Sequence, residues 1–222
     1  MWGYYTQQLI HSLPFFLKGF WMTIAVSLLA LIGGTVIGFF VGLGRASRSK
    51  SLRRVLSIYV DFIRGTPFLV QLFIIFFIMP EWGIHLKAFH AAVLGLMICS
   101  GAYICEIFAS GIEAVSWGQR EAAMSTGLNG YQQLRYVILP QAMRTILPPL
   151  VGQYVLLIKD SSVVSVIGVL DVTRAGWLTV QRVPEGILVF GLVGIFYFII
   201  CYPLIHLVNS LERRLTVQKL QL

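Results

Sequence analysis

Long apolar runs dominate this 222-residue chain and limit the folds that it can adopt. Five of these runs are about 20 residues or longer, the length that an α-helix needs to cross the hydrocarbon core of a bilayer. They lack the strict alternation of polar and apolar residues that marks the strands of a membrane β-barrel. Hydrophobic residues make up 57% of the chain and charged residues only 12%, whereas a soluble domain carries about a quarter charged residues. The sequence therefore predicts an all-α integral membrane protein.

The pattern divides the chain into membrane segments and connecting regions. Residues 1–18 have apolar and aromatic side chains at helical spacing, which predicts an interfacial helix outside the membrane, broken near Pro14. This stretch has no basic region before its apolar residues and no small-residue cleavage site, so it is not a signal peptide. The five predicted membrane segments are residues 20–44, 55–79, 91–115, 145–168 and 187–208.

Basic residues set the expected orientation of these segments. Five of them, and no acid, follow the first segment within ten residues: Arg45, Arg48, Lys50, Arg53 and Arg54. By the positive-inside rule this loop is cytoplasmic, which places the N-terminus outside and the C-terminus inside. Eleven Lys and Arg residues then lie in inside regions and four in outside regions. Because the net charge of +8 is concentrated at membrane ends, it does not indicate binding to nucleic acid.

The largest polar stretch is residues 117–144, between the third and fourth segments. It reads as two short helices joined by a bend. Gly127 can take the left-handed conformation that ends a helix, and Asn129 with Gly130 forms a turn signal. Pro140 is expected to close the second helix, because it cannot donate an intrahelical hydrogen bond. The predicted product is a compact helical hairpin on the cytoplasmic side of the bilayer.

Residues of this hairpin resemble a known motif. Its members are Glu121, Ala122, Ala123, Gly127, Leu139 and Pro140. Together they are similar to the EAA loop of ABC-importer permeases, with Val137 where that family usually has Ile. The resemblance implies a type I ABC-importer permease fold in which the loop fits a cleft in an ATPase subunit. The other interpretation is an ordinary cytoplasmic helical hairpin.

Residues 64–73 and 159–169 resemble the amino-acid branch of these permeases, and residues 102–108 resemble the family's sequence just before the loop. That resemblance implies an importer of a polar amino acid in the bacterial cytoplasmic (inner) membrane. It implies two ATPase subunits, an external amino-acid-binding protein and a second permease, either the same chain or a paralogue. ATP and Mg would bind the ATPase partner, and no cofactor would bind this chain. The implied mechanism is alternating access driven by closure of the ATPases.

Ionisable residues within the membrane segments need partners or water. Asp61 and Arg64 are three residues apart and are expected to pair on one helix face. Glu106 in the third segment needs a compensating charge or an aqueous cavity. The family often has Arg shortly after this Glu, whereas this chain has Ala109, so any function assigned to that Arg is not carried over.

The fourth segment contains the strongest candidates for a substrate pathway. Lys159 and Asp160 are adjacent near its middle, and adjacent residues on a helix point about 100° apart. We therefore expect Asp160 to face the pathway and Lys159 to be a structural partner; the alternative is that Asp160 pairs with Arg64 or Lys159 and never meets substrate. The predicted pathway residues are Glu106 of the third segment with Gln153, Asp160, Ser161 and Ser162 of the fourth.

Several classes of function lack their motifs. No GxxxxGK[ST] stretch occurs, so the chain binds no ATP through a P-loop, and neither HExxH nor GxSxG is present. His85 and His90 are too isolated to indicate a metal site. The main alternative is a self-contained secondary transporter coupled to ions or protons. Such carriers commonly contain two repeated halves, and five spans with one large loop do not divide in that way.

Overall fold

The computed structural model describes residues 2–47, 49–183 and 185–219, with side chains for residues 7–47, 49–183 and 185–213. Among these residues the structure contains helices and turns but no strand, which confirms the all-α prediction. Some residues used in the sequence predictions have side chains outside this described set: Trp2, Tyr5, Arg48, Arg214 and Lys219.

The helices follow one another with short connections. They are α1 (Trp2–Arg45), α2 (Lys50–Gly65), α3 (Phe68–Phe73), α4 (Ala88–Glu113), α5 (Trp117–Ser125), α6 (Gly130–Gln132), α7 (Leu139–Asp160), α8 (Val172–Val180) and α9 (Gly186–Lys219). A π-helical turn, Ile74–Ile78, and a 3₁₀ turn, Met79–Trp82, extend α3. Another π-helical turn, Gln133–Ile138, joins α6 to α7, and a 3₁₀ helix, Ser161–Ile167, extends α7.

Four continuous helical stretches within the described residues are long and apolar enough to cross a membrane: Gln7–Arg45, Ala88–Glu113, Gly130–Ile167 and Gly186–Arg213. The segment predicted at 55–79 is instead a bent pair, because α2 and the stretch Phe68–Trp82 meet at 103°. Counted as one span, this pair brings the total to five. The bend lies at Thr66, just before Pro67, and the extended backbone angles of Thr66 are those that a following proline favours.

The N-terminal part of the chain differs from the prediction. The prediction of a separate helix broken near Pro14 is wrong, because α1 continues through Pro14 without interruption. The stretch Gln7–Arg45 has 39 residues, about 58 Å at 1.5 Å per residue, and a hydrocarbon core is only about 30 Å thick. Part of α1 must therefore extend beyond the core, and an interfacial position for residues 1–18 stays a prediction.

A stripe of glycines brings α1 against α4. A Cβ atom at Gly34, Gly38 or Gly42 would lie 2.0, 2.5 or 2.7 Å from the nearest side-chain atom of α4, which is closer than packed atoms can come. The three side chains that occupy this space belong to Ser100, Ile104 and Phe108. Glycines spaced four residues apart allow such a close approach of two membrane helices, and α1 and α4 make use of it.

The helix after the hairpin also differs from the prediction. Pro140 was expected to end the second short helix, but Gly130–Ile167 is one continuous helical stretch. The π-helical turn Gln133–Ile138 ends two residues before Pro140 and changes the hydrogen-bond register close to the position where proline cannot donate. Pro148 and Pro149 consequently lie inside α7 rather than in its first turn. The expected hairpin therefore leads directly into a membrane span.

Candidate functional site

The first hairpin helix, α5, is fixed to the end of α4 by an arginine. Arg120 donates from Nη2 to the carbonyl of Ile112 at 2.5 Å and from Nε to that of Val115 at 3.4 Å. These carbonyls belong to the last turn of α4 and the link after it, where backbone acceptors lack helical partners. Ala123 is buried and turns this face of α5 inwards. The orientation of α5 is therefore set by the span that precedes it.

Two local devices shape the bend of the hairpin. Gly127 has φ of +76°, a left-handed conformation that only glycine adopts without strain. The second helix then starts with a capping box, in which Gln132 N donates to Asn129 Oδ1 at 3.0 Å and Asn129 N donates to Gln132 Oε1 at 2.9 Å. The bend at Gly127 is as predicted, while the turn predicted at Asn129 is a helix start.

The hairpin presents an exposed face rich in aromatic side chains. Trp117, Tyr131 and Tyr136 are 63%, 72% and 66% exposed, and such side chains are enriched at protein interfaces. Glu121 and Ala122 lie exposed on the same unit, where Glu121 Oε1 accepts a hydrogen bond from Trp117 Nε1 at 2.8 Å. Of the two last motif residues, Leu139 is half-buried and Pro140 exposed. The hairpin thus exposes aromatic and motif side chains together.

A cleft of about 860 Å³ opens between the hairpin, the end of α1 and the start of α2. Its walls include apolar side chains such as Leu43 and Met124, and also Arg53 and Arg120. Both arginines already bind backbone carbonyls: Arg53 donates to Arg45 and Ser47, and Arg120 to the end of α4. The basic groups in the cleft therefore bind the ends of α1 and α4.

Glu106 has the charged partners that its position requires. Its Oε1 lies 2.5 Å from Arg45 Nη1 and 2.9 Å from Arg64 Nη1. Arg45 ends α1 and Arg64 is in the last turn of α2. This charged junction, Glu106 with Arg45 and Arg64, therefore ties three helices together. The prediction that Glu106 needs a compensating charge is confirmed, although neither arginine was identified as its partner.

The expected pair of Asp61 with Arg64 is wrong. Among the described residues Asp61 forms no ion pair, and Arg64 binds Glu106 instead, with its guanidinium 5.5 Å from the centre of the Tyr103 ring. The buried side chains Val60 and Ile63 pack α2 against α4. This packing brings Arg64 next to Glu106, which is far away in sequence. Tertiary packing thus overrides the local spacing of three residues.

The end of α7 carries an acidic side chain without a basic partner. Lys159 and Asp160 are both exposed, and neither forms an ion pair within the described part of the chain. Asp160 thus forms no ion pair with Arg64 or Lys159 among the described residues, although the neighbouring Lys159 attracts it electrostatically; whether Asp160 meets substrate stays a prediction. Gln153 and Ser162 are half-buried, whereas Ser161 is buried and donates from Oγ to the carbonyl of Ile158 at 2.7 Å. The hydroxyl proton of Ser161 is thus already in use.

Glu106 and Asp160 are not joined by any hydrogen bond or ion pair among the described residues. Glu106 forms ion pairs with two guanidinium groups, whereas Asp160 forms none. The pathway residues predicted as one set therefore divide into a neutralised charge on α4 and an open carboxylate at the end of α7. The described residues also contain no group of three His, Cys, Asp or Glu that could hold a metal ion.

One buried carboxylate was missed by the sequence predictions. Asp171 is 1% exposed and caps α8, accepting hydrogen bonds from Thr173 N at 3.2 Å and Arg174 N at 2.8 Å. Burial raises the pKa of this carboxyl, while the two backbone donors and Tyr197 oppose the rise. The signal available in the sequence was an aspartate directly before a short helical segment, which is typical of an N-cap.

Together, the fold and the hairpin define a class of protein: a helical membrane protein with an exposed polar hairpin between two of its spans. A family model described as "Binding-protein-dependent transport system inner membrane component" matches residues 34–217. The chain belongs to this family. It is a permease subunit of an ABC importer and a component of the bacterial inner membrane.

Curated relatives match almost the whole chain. The glutamine transport system permease protein GlnP of Escherichia coli K12 is 38% identical over 208 residues, covering 93% of this chain and 95% of the relative. The L-cystine transport system permease protein TcyB of Bacillus subtilis is 39% identical over 203 residues, covering 91% and 87%. These relatives are transport components, and the ATPase is a separate subunit in such systems. A self-contained secondary transporter finds no support among them.

Solved structures share the fold. A crystal structure described as an amino acid ABC transporter with histidines has a TM-score of 0.85 and 37% identity, covering 93% of this chain and 96% of that one. An inward-facing structure of the MetNI methionine ABC transporter has a TM-score of 0.78 at 22% identity, with 91% and 97% covered. The second likeness concerns the fold alone. The first agrees with the fold of an ABC transporter permease.

Proposed function

We propose that this permease moves a polar amino acid into the cell by alternating access, driven by an ATPase docked on the hairpin Trp117–Arg144. Relatives named for glutamine and L-cystine transport, together with the resemblance of residues 159–169, support the substrate class. ATPase partners and an external binding protein belong to importers of this kind. Two ATPases and a second permease complete the proposed complex, with ATP and Mg bound by the ATPases and no cofactor in this chain.

The observation that carries the coupling step is the rigid link between the hairpin and two membrane spans. Arg120 fastens α5 to the end of α4, and the second hairpin helix continues without a break into α7. Gln141 Nε2 also donates to Gln119 Oε1 at 3.2 Å, which joins α7 to α5 across the hairpin. A displacement of the hairpin by an ATPase would therefore be transmitted to both spans.

The substrate pathway is proposed to pass the end of α7. Asp160 is exposed and without a basic partner among the described residues, and an unpaired carboxylate within a membrane is costly unless a cation or water meets it. The ammonium group of an amino acid is such a cation. Gln153 lies two turns earlier on nearly the same helix face, about 10 Å away, and Ser162 is a second polar group nearby in sequence.

Reconstitution tests this function directly. The purified complex of this permease, its ATPase and its binding protein would be placed in proteoliposomes, with ATP on the side of the membrane that carries the ATPase. Uptake of labelled glutamine, cystine, histidine and arginine would then be measured. We expect uptake that requires ATP and the binding protein and survives collapse of the proton gradient. Uptake that needs only a proton gradient and no ATPase would overturn the proposal.

The composition of the complex calls for a separate measurement. Copurification of a tagged permease in mild detergent, followed by intact-mass analysis, would count the permease and ATPase subunits. We expect two ATPase copies and two permease chains. A single permease per assembly would contradict the proposed stoichiometry while leaving the uptake result intact.

A further inference from the structure

The carboxylate of Asp171 lies at a meeting point of three helices. Besides capping α8, its Oδ2 accepts a hydrogen bond from the Tyr197 hydroxyl of α9 at 3.1 Å. The backbone beside it is held by α1, because Val172 N donates to Thr23 Oγ1 at 3.2 Å. Thr173 Oγ1 lies 3.1 Å from the same Tyr197 hydroxyl and closes the network. Asp171, Thr23 and Tyr197, with the start of α8, form what we term the outer clamp.

Close packing supports the hydrogen bonds of the outer clamp. A Cβ atom on Gly19 of α1 would lie 2.7 Å from the Asp171 carbonyl oxygen, and one on Gly176 of α8 would lie 2.5 Å from a methyl group of Val193 on α9. Both distances are shorter than packed atoms allow. The glycines therefore bring α1, α8 and α9 into contact around the buried carboxylate, and an apolar cluster containing Phe16, Val172 and Val189 surrounds them.

The segment that leads into the outer clamp is a 3₁₀ helix that ends at a left-handed glycine. Ser161–Ile167 is a 3₁₀ helix, whose hydrogen bonds have poorer geometry than those of an α-helix. It ends at Gly168, which has φ of +90° and no atom within 4 Å of the position where a Cβ would lie. This glycine has space around it and a conformation open to few other residues. The chain thus passes from a segment whose Val164 and Ile167 pack against Val26 and Ala30 of α1 through a left-handed glycine into the outer clamp.

We infer that Asp171 is a positioning residue: it holds α1, α8 and α9 as one rigid outer unit, against which the pathway segment Ser161–Ile167 moves by rotation at Gly168. The movement itself rests on the proposed alternating access; the outer clamp does not. Asp171 meets no substrate in this arrangement. Its effect on transport is to fix the outer end of the pathway segment while the inner end follows α7 and the hairpin.

The test uses the full importer in proteoliposomes and a graded set of substitutions. Asp171→Ala removes every acceptor of the side chain, whereas Asp171→Asn keeps one oxygen that can cap α8. Glu185→Gln is the matched control, because it changes a carboxylate to an amide in the same external region without a hydrogen bond of its side chain among the described contacts. Assembled complex, ATP turnover and substrate uptake would be measured for each variant.

We expect the number of substrate molecules carried per ATP to fall about tenfold in Asp171→Ala, to fall less in Asp171→Asn, and to stay unchanged in Glu185→Gln. Tyr197→Phe should resemble Asp171→Asn, because one donor to the carboxylate is lost. If the assembled Asp171→Ala complex carries as much substrate per ATP as the wild type, Asp171 is only a structural cap and the inference is overturned. Should Asp171→Ala fail to assemble, Asp171→Asn and Tyr197→Phe still decide the point.

A second measurement isolates the hinge and separates this inference from the function on which it rests. Gly168→Ala introduces strain from the positive φ alone, since its Cβ meets no neighbour. We expect an assembled complex with reduced uptake per ATP. Gly152→Ala, at a helical glycine of α7 with equally open surroundings, is the control. Failure of the wild-type complex to show ATP-driven uptake would contradict the proposed function, whereas wild-type uptake with unaffected variants would contradict only the hinge and the outer clamp.

Discussion

Arg64 Nη1 lies 2.9 Å from Glu106 Oε1, and this contact joins the last turn of α2 to α4 two turns before α4 leads towards the hairpin. Directly after Arg64 the chain bends at Thr66 and Pro67. The side-chain amide of Gln71 holds this bend by donating to the carbonyl of Ile63 at 2.7 Å and to Thr66 Oγ1 at 2.9 Å. A shift of α4 is therefore passed to the bend through an ion pair, and the bend itself is stiff.

The charged junction predicts that Glu106→Gln lowers the stability of the complex. The change leaves Arg45 and Arg64 without a carboxylate, and hydrogen bonds to charged groups are worth about 1.5–3 kcal/mol each. Because the Arg64 side chain is 42% exposed, we expect a combined loss of only about 2 kcal/mol, measured as a lower melting temperature of the complex in detergent. Glu113→Gln, an exposed position on the same helix, is the control. Equal melting temperatures for both variants would show that the junction contributes nothing.

The bend of the hairpin predicts that Gly127→Val uncouples transport. A residue with a Cβ in the left-handed region costs roughly 1–2 kcal/mol, and more for a β-branched side chain. No atom lies within 4 Å of the added Cβ, so the effect comes from the backbone and not from a clash. We expect normal insertion with loss of substrate-stimulated ATP turnover. Gly118→Ala in α5 is the control, and wild-type coupling in Gly127→Val would remove this bend from the mechanism.

The orientation of the chain is tested by cysteine labelling. In a background without Cys99, Cys105 and Cys201, a cysteine at Ser49 should react only with a reagent supplied from the cytoplasmic side. One at Glu81, in the short segment after the bent pair, should react only from outside. Both positions are exposed, so accessibility depends on the side of the membrane alone. The reverse pattern would overturn the charge-based topology and the docking of an ATPase on the hairpin.

The open carboxylate at the end of α7 predicts a change of selectivity in Asp160→Asn. If Asp160 meets the ammonium group of the substrate, the variant should lose uptake at least tenfold while assembly and basal ATP hydrolysis remain near those of the wild type. The measurement is competition among labelled amino acids in proteoliposomes. Glu185→Gln, which changes a carboxylate to an amide outside the pathway segment Ser161–Ile167, is the control. Reduced assembly with unchanged selectivity would identify Asp160 as structural.

Asp171 predicts a pH dependence of stability. Burial raises the pKa of its carboxyl above the ordinary value, so the protonated form is favoured by folding. The stabilisation is complete below the pKa of the unfolded chain, about 4, and is lost as the pH rises through the raised value. The melting temperature of the wild type, relative to Asp171→Asn, should therefore decrease from about pH 4 upwards. A constant or increasing difference would contradict a raised pKa. Glu185→Gln corrects for other titrating groups.

The amino-acid sequence alone determined the class of fold, the bent pair and the hairpin. Apolar runs of spanning length leave helices as the only suitable structure, Pro67 excludes helical angles at Thr66, and Gly127 supplies the left-handed bend. These features depend on residues close together in the chain, where backbone sterics and local hydrogen bonding decide the outcome. The same holds for the glycine stripe of α1, because small residues on one helix face allow another helix to pack closely against it.

Only the tertiary structure decided which charges meet. Local spacing paired Arg64 with Asp61, but the packing of Val60 and Ile63 against α4 brings Arg64 to Glu106. The outer clamp joins Asp171 to Thr23 and Tyr197, which are far away in sequence. A break was expected near Pro14 and a helix end at Pro140, yet each proline lies within a continuous helical stretch. Charge pairing and tolerance of proline depend on neighbours supplied by other helices, because the free energy of a buried charge or a missing hydrogen bond is set by what surrounds it.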